Sequence, residues 1–200
     1  MWIETIGLDK AGGRLKQIYE RIKGPDGQID NILQVHSLRP HTLEGHMALY
    51  KGVLHHPRNS LPKWQLEMLG VYVSLLNGCA YCVAHHYAGL RRLLDDDEWA
   101  TELRDALQAD APERALGGAL LATARYARAL TCSPAEIDEA PVAAMRREGL
   151  DDGQILEVNQ VVSYFAYANR TVLGLGVATA GEDLGLSPSD EGDAGNWGHR

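Results

Sequence analysis

Leu66, Leu69, Val73 and Leu76 follow one another at steps of three, four and three residues. That spacing puts all four on one face of a helix. Nothing in the chain offers the rival pattern, the strict alternation of a half-buried strand. The same helical periodicity recurs in Leu15, Ile18 and Ile22, a run that Gly24-Pro25 ends. Pro40 suits the first turn of a helix through HTLEGHMALYKGVLHH. Ser60 is placed to cap a helix from Leu61 to about Leu76, and Asn77-Gly78 breaks it. A second helix is expected from Cys79 to about Leu94, closed by the acidic run Asp95-Asp96-Asp97-Glu98. EWATELRDALQAD and PERALGGALLATARYARALT continue the pattern. Ser133, Pro134 and Glu136 read as a capping box at a further helix start, and Asp151 or Asp152 opens the last long helix. Eight or nine helices with short links predict an all-α domain.

The chain has 200 residues and 45% hydrophobic side chains, enough for one core without staples. Residues 1–186 read as one helical domain, and 187–200, SPSDEGDAGNWGHR, as a polar C-terminal tail for which Trp197 is the natural anchor and a neighbouring subunit one candidate holder. The formal charge is −8, from 19 basic and 27 acidic residues. Five acids (Glu182, Asp183, Asp190, Glu191, Asp193) against Arg200 make the final stretch strongly acidic. An acidic chain without a Lys/Arg cluster argues against binding nucleic acid or an anionic membrane. No secretory leader or membrane span is visible, so the expected location is cytoplasmic. Three cysteines, an odd number, do not suit a secreted disulfide framework.

The chemistry concentrates in NGCAYCVAHH, residues 77–86. On a helix starting at Cys79, Cys82 at i+3 and His86 at i+7 share a face, while His85 is rotated about 100° from His86. Cys79 in the first turn gains from free backbone N–H groups and the helix dipole, which favour a thiolate. Cys82 and His86, four apart, are close enough to exchange a proton. Upstream, Glu67 sits in an apolar helix, with Gly70 and Ser74 leaving space beside it. A carboxylate there needs a partner, and His86 is the obvious one. The set Glu67, His86, Cys82 follows the logic of a nucleophile activated by an oriented base. The dipole favours Cys79 as the attacking thiol; contact with His86 favours Cys82.

These residues resemble a family pattern. LPKWQLEMLGVYVSLLNGCAYCVAHHYAGL is similar to the signature of the carboxymuconolactone decarboxylase-like superfamily, in particular its alkyl hydroperoxidase D branch and the peroxidase-related enzyme group within it. That branch carries a glutamate, eleven residues, Cys-x-x-Cys, three residues and a histidine, which Glu67, Cys79, Cys82 and His86 match. HSLRPHTLEGHMALY and SYFAYANRTVLGLGV resemble flanking blocks, so the likeness spans roughly 30–180. The resemblance implies a helical homo-oligomer and a peroxiredoxin-type oxidoreductase that reduces hydroperoxides through a dithiol–disulfide cycle. Cys82 would be the peroxidatic thiol, Cys79 the more exposed resolving thiol, and His86 with Glu67 the proton relay. No cofactor is implied beyond the Cys79–Cys82 disulfide; the external donor would be a dithiol, a lipoyl group in the resembled branch. Tyr81 stands where that branch often has histidine.

Other readings of the motif are a zinc site and an inert packed pair. Zinc requires a fourth ligand, for which Cys132 is the only remaining thiol. A c-type haem requires histidine where Val83 stands. At the level of function the alternatives are a cofactor-free decarboxylase, which does not use a dithiol, and a non-catalytic zinc-stapled or redox-sensing module. His36, His41, His46, His55 and His56 read as surface residues, His85 as packing or surface, Cys132 as structural, and Asn169-Arg170 as a buried polar pair tying helices or subunits together.

Overall fold

The computed structural model describes residues 1–188 and 197–199. Among these there are nine α-helices: α1 (Gly13–Ile22), α2 (Asn31–Gln34), α3 (Pro40–Leu54), α4 (Lys63–Leu76), α5 (Ala80–Leu94), α6 (Asp97–Gln108), α7 (Gly118–Cys132), α8 (Ala140–Arg147) and α9 (Asp152–Leu175). Short 3-10 turns precede α1 and α7. The only extended pairing among the described residues is an isolated bridge between Pro188 and His199. The all-α expectation holds. No helix among the described residues is long and apolar enough to cross a membrane.

Helix α4 is the axis of the fold. From Gln65 to Ser74 every residue is buried, because α5, α7 and α9 pack around it. The stripe of Leu66, Leu69 and Val73 is therefore only one of several buried faces. Gly70 is not space for Glu67: a Cβ there would overlap the ring of Phe165 on α9. Ser74 likewise faces α9, accepting from Asn169 Nδ2 at 3.1 Å.

Asp151 caps α9 through a complete capping box with Gln154. Ser60 does not cap α4; Pro62 holds that position, and Ser60 donates to Glu157 from both its backbone N–H and its hydroxyl. The box at Ser133 is a correction. Ser133 ends α7, and the next helix waits until Ala140, because Ser133 N–H closes the preceding helix onto Ala129 O. The C-terminal segment folds back on its own chain: Arg21 lies over the Trp197 ring at 4.2 Å, and Trp197 packs against the core. This anchoring by Trp197 is intramolecular. Residues 189–196 and 200 of the expected tail lie outside the described residues.

Gly70→Ala is expected to lower stability by about 1–3 kcal/mol through overpacking against Phe165, while Gly45→Ala, with nothing near its Cβ, gains about 0.5–1 kcal/mol. Thermal or urea unfolding checks both; equal effects of the two would contradict the packing of α4 on α9.

Candidate active site

Asn77 and Gly78, the latter at φ 69°, turn α4 back into α5. This turn brings the end of one helix beside the start of the next. Cys79 is the N-cap of α5 and donates its backbone N–H to Ser74 O at 2.8 Å. Cys82 and His86 then rise along α5, and Glu67 faces them from α4. His86 Nδ1 lies 2.7 Å from Glu67 Oε2. A carboxylate accepts only, so Nδ1 is the donor, which leaves Nε2 as a lone-pair acceptor on the neutral ring. The ring is held edge-on by Phe165, centroids 4.6 Å apart. Glu67 is buried, and His55 stands behind it, Nε2 at 3.9 Å from Oε1. That distance is too long for a hydrogen bond; neither ring nitrogen of His55 has one, and burial pushes its pKa well below the usual histidine range.

Both cysteines are free thiols and both are buried. Cys79 is the less accessible of the two, at 0% against 2% for Cys82, so the expectation of a more exposed Cys79 is not met. Cys79 sits in a small apolar cluster with Val35, Val172 and Val177. The two sulfurs hydrogen-bond each other. Donation from Cys82 pulls the Cys79 thiol below its ordinary pKa, against burial and with help from the Cys82 N–H, the Asn169 amide and the Tyr81 N–H. The same bond, followed by burial and the charge on Cys79, holds Cys82 well above its ordinary value. Of the two, Cys79 is the one whose ionisation its surroundings favour.

Cys82, Glu67 and His86 line a cavity of about 110 Å³. Its walls include Tyr50, Tyr81 and Tyr164, three rings whose hydroxyl pKa values burial drives upward. Cys79 does not contribute to the lining. Of the four residues expected from the sequence, Glu67, Cys82 and His86 line this cavity, and Cys79 bonds Cys82 from outside it. Among the described residues, no group of three or more His, Cys, Asp or Glu is placed to hold a metal ion.

Sequence reasoning missed several neighbours. Asn169, expected only to tie helices, is fully buried; it bonds Ser74 and Asn77 and reaches both sulfurs, whereas Arg170 is exposed. His36, His46 and His55 are buried rather than surface residues, while His41 is exposed and His56 only partly so. His85 is neither packing nor surface alone: it lines the cavity, with Nε2 3.2 Å from Glu182 Oε1. Tyr81 OH, also 3.2 Å from Glu182, accepts from Ile32 N–H. The signal for these histidines was available in part. His46 sits four residues before Tyr50 and shares its helix face, but only the arrival of α9 buries that face.

Three comparisons bear on this site. The carboxymuconolactone decarboxylase family model matches residues 40–115. Among solved structures, an uncharacterized peroxidase-related protein from Silicibacter sp. TM1040 is 26% identical, with 78% of each chain covered and a TM-score of 0.69. The alkylhydroperoxidase AhpD core of an uncharacterized peroxidase-related protein from Ralstonia eutropha JMP134 is 20% identical over 90% of this chain and 92% of that one, TM-score 0.75. A variant of the debrominase Bmp8 in complex with 2,3,4-tribromopyrrole is 15% identical over 84% of each chain, TM-score 0.64. No curated protein matches the chain.

Burial pushes the His46 pKa down to about 3 and that of His199 down to about 4. Both folded values lie below the ordinary histidine value, so the stability they contribute is present above pH ~6.5 and lost as pH falls through the folded values. Asp30 acts in the opposite sense: burial raises its pKa to about 6, so folding gains from it as pH drops from 6 toward 4. Two histidines outweigh one carboxyl. Stability is expected to fall on the order of 2 kcal/mol per histidine between pH 6.5 and 4.5. In His46→Phe the slope shallows, as urea unfolding at several pH values would show; an unchanged slope would contradict the burial of a neutral His46.

Proposed function

We propose that this member of the carboxymuconolactone decarboxylase-like group, with its alkyl hydroperoxidase D-like fold, is a thiol-dependent hydroperoxidase or closely related disulfide reductase. One observation carries the reading. A thiol, Cys82, lines a small cavity beside a histidine whose proton-accepting nitrogen is fixed by a buried carboxylate, and a second thiol is hydrogen-bonded to the first.

The chemistry follows from that arrangement. A hydroperoxide enters the cavity. Cys82 gives up its proton, to the Cys79 sulfur it already bonds or to His86 Nε2, and its sulfur attacks the terminal peroxide oxygen. The O–O bond breaks, and the alkoxide leaves as the alcohol with the proton that Cys82 gave up, returned by the group that took it. Cys82 is then a sulfenic acid. Cys79 attacks the Cys82 sulfur, water leaves, and the disulfide forms. An external dithiol, of which a lipoyl group is one chemical type, exchanges with the disulfide and restores both thiols. The electrons come from that donor and end in alcohol and water.

Charge and access favour different cysteines for the first step. Both cysteines pack in one apolar cluster with Val35, Val172 and Val177; Cys79 holds the lower pKa but does not reach the cavity, and Cys82 has the higher pKa but lines it. Access decides, because a thiolate that peroxide cannot reach does not react, whereas a proton moves across an existing hydrogen bond. Glu67 keeps His86 Nδ1 protonated, which orients the ring and stabilises the imidazolium formed when Nε2 takes a proton. Homo-oligomerisation and a cytoplasmic location belong to the same proposal.

A second reading has a specific support. The Bmp8 likeness and the aromatic walls of the cavity suit reductive removal of halide from a small halogenated ring by the same dithiol. There the Cys82 sulfur takes the halogen, the ring carbon takes a proton in its place, Cys79 displaces halide from Cys82, and the disulfide again records two electrons. The presence of the dithiol disfavours a decarboxylase that has no use for it.

Stopped-flow oxidation of the reduced protein with a panel of hydroperoxides, followed by mass mapping of the disulfide, tests the proposal. Cys82→Ser is expected to abolish peroxide consumption. Cys79→Ser is expected to stop at a sulfenic acid on Cys82, trapped by dimedone. Retained turnover in Cys82→Ser, or trapping on Cys79 in that variant, would reverse the order. Halide release from tribromopyrrole without peroxide consumption would favour the second reading.

A further inference from the structure

The same cavity has a second polar pole, built by residues outside the 40–115 family match. Asp30 precedes α2, and His199 arrives from the C-terminal segment, paired with Pro188. Both line the cavity. His199 Nδ1 lies 3.0 Å from Ile22 O and 3.1 Å from Trp197 O. Carbonyls only accept, so Nδ1 carries the hydrogen. Burial keeps this ring neutral at physiological pH, and Nε2 is therefore a bare acceptor. It faces Asp30 Oδ2 at 3.9 Å. Above pH 6 that oxygen is a carboxylate and also only accepts.

A buried acceptor on His199 and a half-buried one on Asp30 thus face each other with no hydrogen between them, too far apart to bond and close enough to share one donor atom. A single nitrogen carrying at least two hydrogens, set about 2.8–2.9 Å from each, satisfies both. The surroundings decide which nitrogen. Glu182 and Asp183 add negative potential at Asp30, opposed by His85 and His86. The Tyr50 ring lies nearly parallel to His199, centroids 6.2 Å apart, and Tyr81 and Tyr164 complete an aromatic wall. Carboxylate plus tyrosine faces is the chemistry that holds ammonium ions. The cavity cation Arg92 is engaged with Gly185 O, and Lys63 is the other cation in the lining. Tyr50 also stands edge-on to His86 at 6.3 Å, so the two poles share one chamber. About 110 Å³ admits an ammonium on a short carbon chain, given that a 150 Å³ cavity holds benzene.

We propose that Asp30 and His199 form a recognition site for a primary ammonium group, so that the chamber selects a small aminated ligand. The inference deepens the reading of this cavity as the substrate chamber and rests on it.

Isothermal titration of the reduced full chain at pH 7.5 with n-butylammonium, n-butanol and butyrate tests it. Butylammonium is expected to bind at least tenfold more tightly than butanol, and butyrate more weakly still. Asp30→Asn should cost tenfold or more for butylammonium with butanol unchanged. His199→Phe keeps the stacking on Tyr50 but removes the acceptor, and should cost severalfold; it serves if Asp30→Asn fails to fold by circular dichroism. Equal affinity for amine and alcohol, tighter butyrate, no heat from any of the three, or variants that bind butylammonium as the parent does would each overturn the site and leave the gap to water. Because binding is read without turnover, failure to consume peroxide would sink the redox reading while leaving this titration to stand.

Discussion

A buried carboxylate against an imidazole organises this molecule. Glu67 lies within the most enclosed helix of the fold, where an uncompensated charge would cost several kcal/mol. Its bond to His86 Nδ1 offsets that cost and fixes the histidine at the same time. The surrounding packing serves this pair. Gly70 admits Phe165, Phe165 braces the His86 ring, and the Asn77-Gly78 turn sets α5 at the height where His86 meets Glu67. Disturbing any of these moves the imidazole before it moves the fold.

The cysteines use the other end of the same turn. Cys79 is the N-cap, and the Cys82 thiol, the nearby backbone N–H groups and the Asn169 amide lower its pKa. Ionisation is favoured at the sulfur away from the cavity, and the sulfur that lines the cavity is held protonated. This separation suits a thiol that stays quiet until a substrate fills the cavity. Asn169 spans α4, the turn and both sulfurs from α9, so the longest helix of the chain also sets the thiol geometry.

Much of this was legible in the sequence because it is local. Helical spacing, the Asn77-Gly78 break, Pro40 at the start of α3 and Asp151 at the start of α9 are set within a few residues, and the structure keeps each. The Glu67–His86 pairing could be inferred because a short turn connects two helices whose spacing fixes their faces. What the sequence hid depends on distant chain. His46 and His55 looked exposed because nothing near them announces that Tyr164 will cover one and Glu67 the other. Gly70 and Ser74 were read as space for a carboxylate, whereas they make room for α9. His199 was part of a segment whose composition suggests a solvated tail, yet its ring ends beside Asp30 and Tyr50. The false capping box at Ser133 failed because its N–H was already committed to ending α7.

The most direct test concerns Glu67. Glu67→Gln keeps an acceptor for His86 Nδ1 and nearly the same volume, but removes the charge that stabilises the imidazolium. If His86 relays the proton for Cys82, the second-order rate of Cys82 oxidation by a hydroperoxide, followed by stopped-flow, falls about a hundredfold or more while the fold is retained. A Glu67→Gln protein that oxidises at the parental rate would contradict the account.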